Sequence, residues 1–386
     1  MPGSARRMAH IQPFHVMALL ARARELEAGG RSIIHMEIGE PDFVTPQPVI
    51  EAGIRALQEG RTHYTPALGL TALRQRLSGF YRERYGVEIE AERFVITPGA
   101  SAALQLVLAM LVDPGDRVLM ADPGYPCNRN FVHLLNGVPV GLPVDAATNY
   151  QPDAASVDAA WTGSVAALLV ASPSNPTGTL LNDADFRALF AVTQSHGGRL
   201  VVDEIYHGLT YGEAASTALA VSDDIFVINS FSKYFGMTGW RLGWLVAPRE
   251  AIAGIDKLAQ NLYLAAPTLA QYAALSAFDP ENIAILEARR LEFRTRRDYL
   301  LPALRDLGFD IAGTPEGAFY LYAGCSRFTD DSYGFSVRLL EEAGVAITPG
   351  IDFGEHRPER HVRFAYTTSL ENLKEGVRRL KDYLGT

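Results

Sequence analysis

The sequence predicts an α/β protein in which a large domain carries a mostly parallel seven-stranded sheet flanked by helices, and a smaller α+β domain follows. Short apolar runs alternate with helical segments from about residue 92, which is typical of crossover units in a parallel sheet. The runs are continuously apolar, as expected for strands that are buried on both faces. They cover residues 94–96, 117–120, 138–140, 165–170, 200–202, 225–228 and 242–246.

The segments on either side of these runs predict the rest of the architecture. Helical spacing and β-like patterns indicate a second unit of mixed type at the C-terminus. The helical patterns cover 13–28, 46–60, roughly 249–308, 333–343 and 369–384, and the extended ones cover 33–38, 318–322 and 361–366. We therefore predict an N-terminal arm (1–45) that packs with the small domain, a large domain (46–280) and a small C-terminal domain (281–386).

Composition excludes several classes of function. A chain of 386 residues is long enough for two domains. Its formal net charge of -9, without a long basic run, argues against nucleic acid as a partner. The two cysteines, Cys127 and Cys325, are too few for a disulfide framework and have no metal-ligand neighbourhood. The most apolar stretch, 102–112, is too short to span a bilayer, so we expect a cytoplasmic protein that binds neither metal nor membrane.

Polar residues follow several predicted strands at their carboxyl ends, where open α/β sheets bind ligands. After the first strand, Gly99, Ala100 and Ser101 form a tight turn into a helix, whose free N–H groups suit a phosphate. A capped helix start would explain the same residues. Tyr125 follows the second strand and could lie flat on an aromatic ring, although a loop-packing role is the simpler reading.

Two further clusters contain groups that could recognise a heteroaromatic ligand. Asn175 lies in a proline-rich turn, could donate to a phenolic oxygen, and precedes a candidate cis proline. Asp203 ends a buried strand, so it needs a partner such as a pyridinium nitrogen, and Tyr206 could reach the oxygen on the same ring. The alternatives are a plain turn at Asn175 and a helix N-cap at Asp203.

The fifth cluster places a lysine among phosphate-binding groups. Ser230, Ser232 and Arg241 would suit a phosphate, and Lys233 is placed to attack a carbonyl. A carbonyl and a phosphate on one small molecule indicate pyridoxal phosphate (PLP). Taken alone, a serine-capped helix with a surface lysine would explain this segment equally well.

Together these motifs resemble the class I/II aminotransferases of PLP fold type I. The resemblance rests on Asn175-Pro176-x-Gly178, on Asp203-x-x-Tyr206, and on Ser230-x-Ser232-Lys233 with Arg241 eight residues later; it extends over nearly the whole chain, including 317–320 and 348–350. It implies that Lys233 is the Schiff-base lysine and the proton-moving base. It also implies that Asp203 pairs with the pyridinium nitrogen, and that Tyr206 and Asn175 contact the ring oxygen.

The resemblance assigns the remaining site residues. Tyr125 would stack on the cofactor, and Ser101, Ser230 and Arg241 would bind its phosphate. Gly39 and Arg363 would hold the substrate's α-carboxylate, although the residue pattern alone would make Arg363 an exposed strand arginine. Tyr64 would reach the phosphate of the neighbouring subunit's cofactor, which implies a homodimer with shared active sites.

The implied function is ping-pong transamination between an L-amino acid and a 2-oxo acid, in amino acid metabolism and biosynthesis. Part of the family has a lysine at the position of Ser101, so serine weakens an aspartate-specific interpretation. Phe14, His15, Val16 and Met17 form a mostly apolar set. We therefore predict an apolar, aromatic or broad donor with 2-oxoglutarate or pyruvate as acceptor, and aspartate stays open. A cysteine-conjugate β-lyase is the main alternative, and an aminotransferase-like regulatory domain is a remote one.

Overall fold

The computed structural model describes residues 3–212 and 215–385, which contain twelve α-helices and twelve β-strands. The helices are α1 (His15–Ala28), α2 (Gln47–Gln58), α3 (Thr71–Tyr85), α4 (Ala100–Leu111), α5 (Pro126–Leu134), α6 (Ala154–Ala160), α7 (Asp183–Ser195), α8 (Ile252–Leu262), α9 (Thr268–Ala274), α10 (Pro280–Leu307), α11 (Ser332–Arg338) and α12 (Leu370–Leu384). The strands are β1 (Ile34–His35), β2 (Phe94–Thr97), β3 (Arg117–Asp122), β4 (Val138–Pro143), β5 (Val165–Ala171), β6 (Arg199–Asp203), β7 (Phe226–Ser230), β8 (Gly243–Val246), β9 (Tyr320–Gly324), β10 (Val345–Ala346), β11 (Thr348–Pro349) and β12 (His361–Ala365).

The seven predicted apolar runs form one sheet with the strand order β2-β8-β7-β6-β5-β3-β4. β8 is antiparallel to both of its neighbours, β2 and β7, whereas the pairs β7–β6, β6–β5, β5–β3 and β3–β4 are parallel. Six strands therefore share one direction, which confirms the mostly parallel sheet. The carboxyl ends of these six strands, and the amino end of β8, lie along the same edge.

Strand β4 differs from the expectation of burial on both faces. It pairs only with β3, at the end of the sheet, and only one of its six residues is buried. Pro139 lies within this strand. A proline has no backbone N–H to donate to a ladder, and it is therefore tolerated on an edge strand rather than a central one.

The C-terminal strands, together with β1 from near the N-terminus, form two smaller sheets. β1 pairs with β10 in parallel, and β11-β12-β9 form an antiparallel sheet whose β9 lies two residues later than predicted. Helix α1 packs nearby, because Leu19 and Ala23 share a small apolar core with Leu340 and Ala346. The domain boundaries at residues 45 and 280 remain a prediction.

The helical stretch predicted over 249–308 is divided into three helices, α8, α9 and α10. The helix is interrupted between α8 and α9, where Leu264 has a φ of 70° and Pro267 precedes the next helix. Pro280 opens α10, at a position where the missing N–H has no intrahelical partner to lose. Among the described residues, no helix is long and apolar enough to cross a membrane.

Candidate active site

A cavity of about 320 Å³ lies between the carboxyl edge of the large sheet and the C-terminal sheets. Loops that follow five strands of the large sheet contribute to its wall, together with α1 and β12. It brings together all of the predicted site residues except Gly99 and Tyr64. Those lining it are Gly39, Ala100, Ser101, Tyr125, Asn175, Asp203, Tyr206, Ser230, Ser232, Lys233, Arg241 and Arg363.

Lys233 lies on the cavity wall in a turn after β7, not in a helix, so the serine-capped helix is the wrong alternative. Its Nζ donates a hydrogen bond to the backbone oxygen of Gly39 at 2.5 Å. Burial lowers the pKa of Lys233 to about 8, and the positive charges of Arg363 and Arg241 act in the same direction. A substantial fraction of the amine is therefore neutral near pH 8, as a base or nucleophile must be.

Asp203 is buried at the end of β6 and also lines the cavity. Its Oδ1 accepts a hydrogen bond from the backbone N–H of Ile205 at 3.0 Å, and a turn follows rather than a helix, which excludes the helix N-cap. Burial raises the pKa of Asp203 to about 7. A desolvated carboxylate that accepts one backbone hydrogen bond would be stabilised by a cationic partner. A pyridinium nitrogen fits that requirement.

The neighbouring acid, Glu204, has a different task. Its Oε1 accepts from the backbone N–H of Ala218 at 2.7 Å and from the hydroxyl of Thr217 at 3.0 Å. Burial raises the pKa of Glu204 to about 8. Of the two adjacent acids, only Asp203 lines the cavity. Glu204 holds the loop at residues 217–218 in place through its hydrogen bonds.

The phosphate end of the cavity is formed by the N-terminus of α4 and by the segment around β7. Gly99 precedes α4 with a φ of 79°, and a Cβ built there would lie 2.6 Å from Arg241 Nη2. Glycine therefore lets the guanidinium lie against the helix N-terminus. Ser230 Oγ lies 2.9 Å from Ser232 Oγ, and it accepts from the Ser232 N–H at 3.0 Å. Helix N–H groups, two hydroxyls and one guanidinium form a donor set that suits a phosphate.

Arg363 lies at the opposite end and is only 5% exposed, so the exposed strand arginine expected from the residue pattern is wrong. Its Nη1 donates to Asn175 Oδ1 at 2.9 Å. Its Nη2 donates to the backbone oxygen of Glu37 at 2.6 Å and to Thr348 Oγ1 at 3.1 Å. The guanidinium lies over the ring of Tyr320, 4.2 Å from its centroid.

The Nε of Arg363 is buried and has no hydrogen-bond partner among residues 3–212 and 215–385. A buried donor without an acceptor is costly, because it has lost its hydration. A carboxylate bound at this guanidinium would satisfy it, and the planar fork accommodates two carboxylate oxygens. The guanidinium thus fits the substrate carboxylate that the sequence assigned to it.

The segment 36–39 is held in place by C-terminal residues. In addition to the hydrogen bond from Arg363, the hydroxyl of Thr348 donates to the backbone oxygen of Glu37. The hydroxyl of Thr367 donates to the backbone oxygen of Ile38, and both distances are 2.9 Å. A Cβ on Gly39 would lie 1.9 Å from the Tyr320 hydroxyl. Only glycine lets the backbone pass this close, so position 39 is fixed by space as well as by hydrogen bonds.

Tyrosines and one amide form the side wall. The hydroxyls of Tyr206 and Tyr320 are 2.8 Å apart, and burial raises the pKa of both. Both therefore stay protonated at neutral pH, and the hydroxyl that accepts the hydrogen bond between them keeps its own proton for a ring oxygen. Asn175 is followed by a cis proline, as predicted, and its Oδ1 is occupied by Arg363, which leaves the amide N–H groups for a ligand. Tyr125 also lines the wall, with its hydroxyl 3.1 Å from Cys127 Sγ.

Two predicted residues lie outside the cavity. Gly99 adjoins Arg241, as described above. Tyr64 is 82% exposed and does not line the cavity of its own subunit. Its proposed contact with a neighbouring subunit's cofactor stays a prediction.

Several residues of the cavity wall carried no predicted role. Tyr320 and Thr348 lie in segments that contributed to the family resemblance, so a signal existed for both. Asp352 also lines the cavity, and its Oδ1 and Oδ2 accept from the backbone N–H groups of His15 and Val16. No local pattern marks Asp352, because its partners lie more than three hundred positions earlier in the chain.

Comparisons with known proteins agree with this geometry. The family model for aminotransferase class I and II matches residues 31–380. The chain is 37% identical to a (5-formylfuran-3-yl)methyl phosphate transaminase of Methanocaldococcus jannaschii, covering 98% of this chain and 99% of that protein. It is 39% identical to a valine–pyruvate aminotransferase of Mycobacterium tuberculosis, with 97% of each covered. The structure of Thermus thermophilus aspartate aminotransferase with maleate superposes with a TM-score of 0.92 at 35% identity, covering 98% of this chain and 99% of that one.

Proposed function

Because this chain belongs to the class I and II aminotransferases, whose cofactor is pyridoxal phosphate, we propose that its cavity moves an amino group from an L-amino acid to a 2-oxo acid in two half-reactions. The observation that carries the proposal is the position of Lys233. It lines one cavity together with the phosphate-binding end at Arg241 and the carboxylate-binding end at Arg363. A cofactor phosphate and a substrate carboxylate would thus be held at the two ends, with the lysine on the wall between them.

We assign the cofactor to residues whose bonding capacity fits it. Ala100, Ser101, Ser230, Ser232 and Arg241 would hold the phosphate. Asp203 would pair with the ring nitrogen, and Asn175 and Tyr206 would contact the ring oxygen, while Tyr125 would cover the ring face. When bound, pyridoxal phosphate supplies a carbonyl for the substrate's amine and a ring that delocalises the electrons released at Cα.

The remaining steps belong to side chains of this protein. Arg363 binds the α-carboxylate and fixes the orientation of the substrate's Cα–H bond. The Nζ of Lys233, whose pKa is lowered to about 8, takes the proton from Cα and would pass it to the former carbonyl carbon of the cofactor. In the second half-reaction the same Nζ would take a proton from that cofactor carbon and deliver it to the Cα of the acceptor. The buried tyrosines and the apolar residues of α1 keep water away from these proton transfers.

The relatives named above carry the names of different substrates, so the argument for the donor of this chain rests on its own cavity. We propose an apolar, aromatic or broad donor, because Phe14, Val16 and Met17 line the cavity. His15 instead bonds to Asp352 through Nδ1, at 2.9 Å. We also propose a homodimer, in which Tyr64 completes the neighbouring site, and a cytoplasmic location, which the two unpaired cysteines support.

The experiment that tests the proposal follows the absorbance of the PLP-loaded protein after addition of single amino acids. We expect loss of the cofactor's visible absorbance and release of one 2-oxo acid per site, because the amino group stays on the protein until an acceptor arrives. Pyruvate and thiol released from an S-alkyl-cysteine, without amino transfer, would instead indicate a β-lyase. Unchanged absorbance with every donor would contradict the proposal.

Replacing Arg241 with alanine should weaken PLP binding by roughly 10- to 100-fold, the loss expected for a charge-assisted contact to phosphate. At saturating PLP the ratio of kcat/KM between two donors should stay unchanged, because Arg241 lies at the end remote from Arg363. Fluorescence titration of the cofactor-free protein measures the affinity. The exposed Arg294→Ala variant is the control. Unaltered PLP affinity in Arg241→Ala would remove Arg241 from the phosphate site.

A further inference from the structure

Tyr320, the first residue of β9, contacts three parts of the site, although the proposed function gives it no role. It is 1% exposed and lines the cavity. Its hydroxyl lies 2.8 Å from the Tyr206 hydroxyl, and the Arg363 guanidinium lies over its ring, 4.2 Å from the centroid. A Cβ built on Gly39 would lie 1.9 Å from the same hydroxyl, which is therefore packed against the backbone there. Tyr320 thus lies between the residue proposed for the ring oxygen and the residue proposed for the substrate carboxylate.

The surroundings of the Tyr320 side chain fix the direction of its hydroxyl. Its ring meets the Tyr206 ring nearly edge-on, at an interplanar angle of 81°, and its centroid lies 4.9 Å from that of the Phe319 ring. With Arg363 on one face and Gly39 against the hydroxyl, the ring has little room to change rotamer. The pair of hydroxyls is therefore a fixed feature of the cavity wall.

Each of the two hydroxyls has one proton, which decides the direction of the hydrogen bond between them. The proposed function uses the Tyr206 proton for the ring oxygen, so Tyr206 accepts in this bond and Tyr320 donates. Hydrogen bonds arranged in such a chain strengthen one another. Burial raises the pKa of Tyr320, but the positive charge of Arg363 acts in the opposite direction and makes Tyr320 a better donor.

From these contacts we infer that Tyr320 is a positioning residue for the ring-oxygen contact. Its hydroxyl donates to Tyr206, and that bond keeps the Tyr206 proton directed at the ring oxygen of the cofactor. The hydroxyl acts on the cofactor only through Tyr206, whereas the ring supports Arg363 without the hydroxyl. This inference rests on the proposed function and adds one residue and one hydrogen bond to it.

The hydrogen bond has a spectroscopic consequence, because the ring oxygen of PLP is next to the carbon that would be joined to Lys233. A negative ring oxygen attracts the proton on the nitrogen of that linkage. Donation from Tyr206 weakens this attraction, so the nitrogen loses its proton at a lower pH, and the visible absorbance changes with it. Among the described residues, the other titratable or charged side chains on the wall, which stay the same in every variant below, are Glu37, Tyr125, Asp203, Arg241, Asp352 and Arg363.

The first test titrates the visible absorbance of the PLP-loaded protein with pH, without any donor. Tyr206→Phe should raise the midpoint by about 1 to 2 pH units, the loss of one hydrogen bond to a charged oxygen. Tyr320→Phe should raise it by about 0.3 to 0.6 pH units, because it weakens that bond without removing it. Tyr366→Phe removes a buried hydroxyl that donates to the Ala318 backbone oxygen at 3.4 Å, outside the cavity, and should leave the midpoint unchanged.

A double variant shows whether Tyr320 acts through Tyr206. The Tyr206→Phe/Tyr320→Phe protein should have the same midpoint as Tyr206→Phe alone, because the Tyr320 hydroxyl then has nothing to position. An unchanged midpoint in Tyr320→Phe, or shifts that add in the double variant, would overturn the inference. A larger shift from Tyr320→Phe than from Tyr206→Phe would also overturn it, because Tyr320 would then be the direct donor.

Carboxylate binding separates this role from support of Arg363. Calorimetry with maleate and with 4-methylpentanoate should give affinities for Tyr320→Phe within about 3-fold of the unmodified protein, because phenylalanine keeps a ring under the guanidinium. A loss of about 10-fold or more would show that the hydroxyl serves Arg363 instead, and would overturn the inference. The titration needs no amino donor, so absorbance that no donor changes would remove the proposed function while the titration still decides the role of Tyr320.

Discussion

Replacing Lys233 with alanine should lower the rate of transamination by about 10⁴-fold, the upper range of what one general base contributes. Among the residues assigned to the site, Lys233 alone combines a primary amine, a place on the wall between the phosphate and carboxylate ends, and a pKa lowered to about 8. No second lysine lines the cavity among the residues that the structure describes. Single-turnover absorbance measurements with L-leucine would give the rate.

Two controls show whether the base itself has been lost. Lys233→Arg keeps length and charge but stays protonated at neutral pH, so it should be nearly as slow as the alanine variant. Lys257→Ala removes an exposed lysine on α8 and should retain ordinary turnover. Circular dichroism and PLP affinity would confirm that the Lys233 variants are folded and loaded. Turnover of Lys233→Ala within 10-fold of the unmodified protein would remove Lys233 from the mechanism.

Replacing Asp203 with asparagine should lower turnover roughly 100- to 1,000-fold, because a neutral amide cannot stabilise the positive ring nitrogen through charge. Asp203→Glu keeps the charge and should lose less. The exposed Asp224→Asn variant serves as the surface control. An Asp203→Asn protein that is loaded with PLP and turns over at the normal rate would contradict the pairing of Asp203 with the ring.

The same substitution should stabilise the cofactor-free protein. The pKa of Asp203 is raised from 3.8 to about 7 on folding, so its contribution to stability is largest below pH 4 and is lost as the pH rises through 7. Between pH 5 and pH 8 the loss is about 2 to 3 kcal/mol. Urea unfolding of cofactor-free protein should therefore show Asp203→Asn gaining stability over the unmodified protein as pH rises across this range. A constant difference would contradict the raised pKa.

The fold could be predicted from the sequence because its main determinants are local. Each central strand of the large sheet is a continuous apolar run, and the turn residues at Gly99, Asn175 and Lys233 follow such runs directly. Ligand sites in open sheets occur at the carboxyl ends of strands. The site residues that follow the strands of the large sheet could therefore be assigned to one site from the sequence, before any distance between them was known.

The rest of the site depends on contacts between distant parts of the chain. Arg363 has the sequence environment of an ordinary strand arginine, and only the folded chain places it against Asn175 and the backbone of Glu37. The cap that Asp352 provides for α1 is equally invisible, because a helix start at His15 shows no capping residue of its own. The burial of β4 on both faces is the expectation that fails, because the position of a strand at the edge of a sheet is not encoded in a local pattern.

The way in which segment 36–39 is held has a consequence for protein synthesis. A chain emerges from the ribosome with its N-terminus first, so all residues of the phosphate end have been made once Arg241 has emerged. Segment 36–39 is made much earlier, yet the hydrogen bonds that hold it cannot form until Thr348, Arg363 and Thr367 have been made, more than a hundred residues after Arg241. The nascent protein thus contains all of its proposed phosphate-binding residues more than a hundred residues before the residues that hold segment 36–39 are made. A chain released between these two points would lack Arg363, and with it the proposed site for the substrate carboxylate.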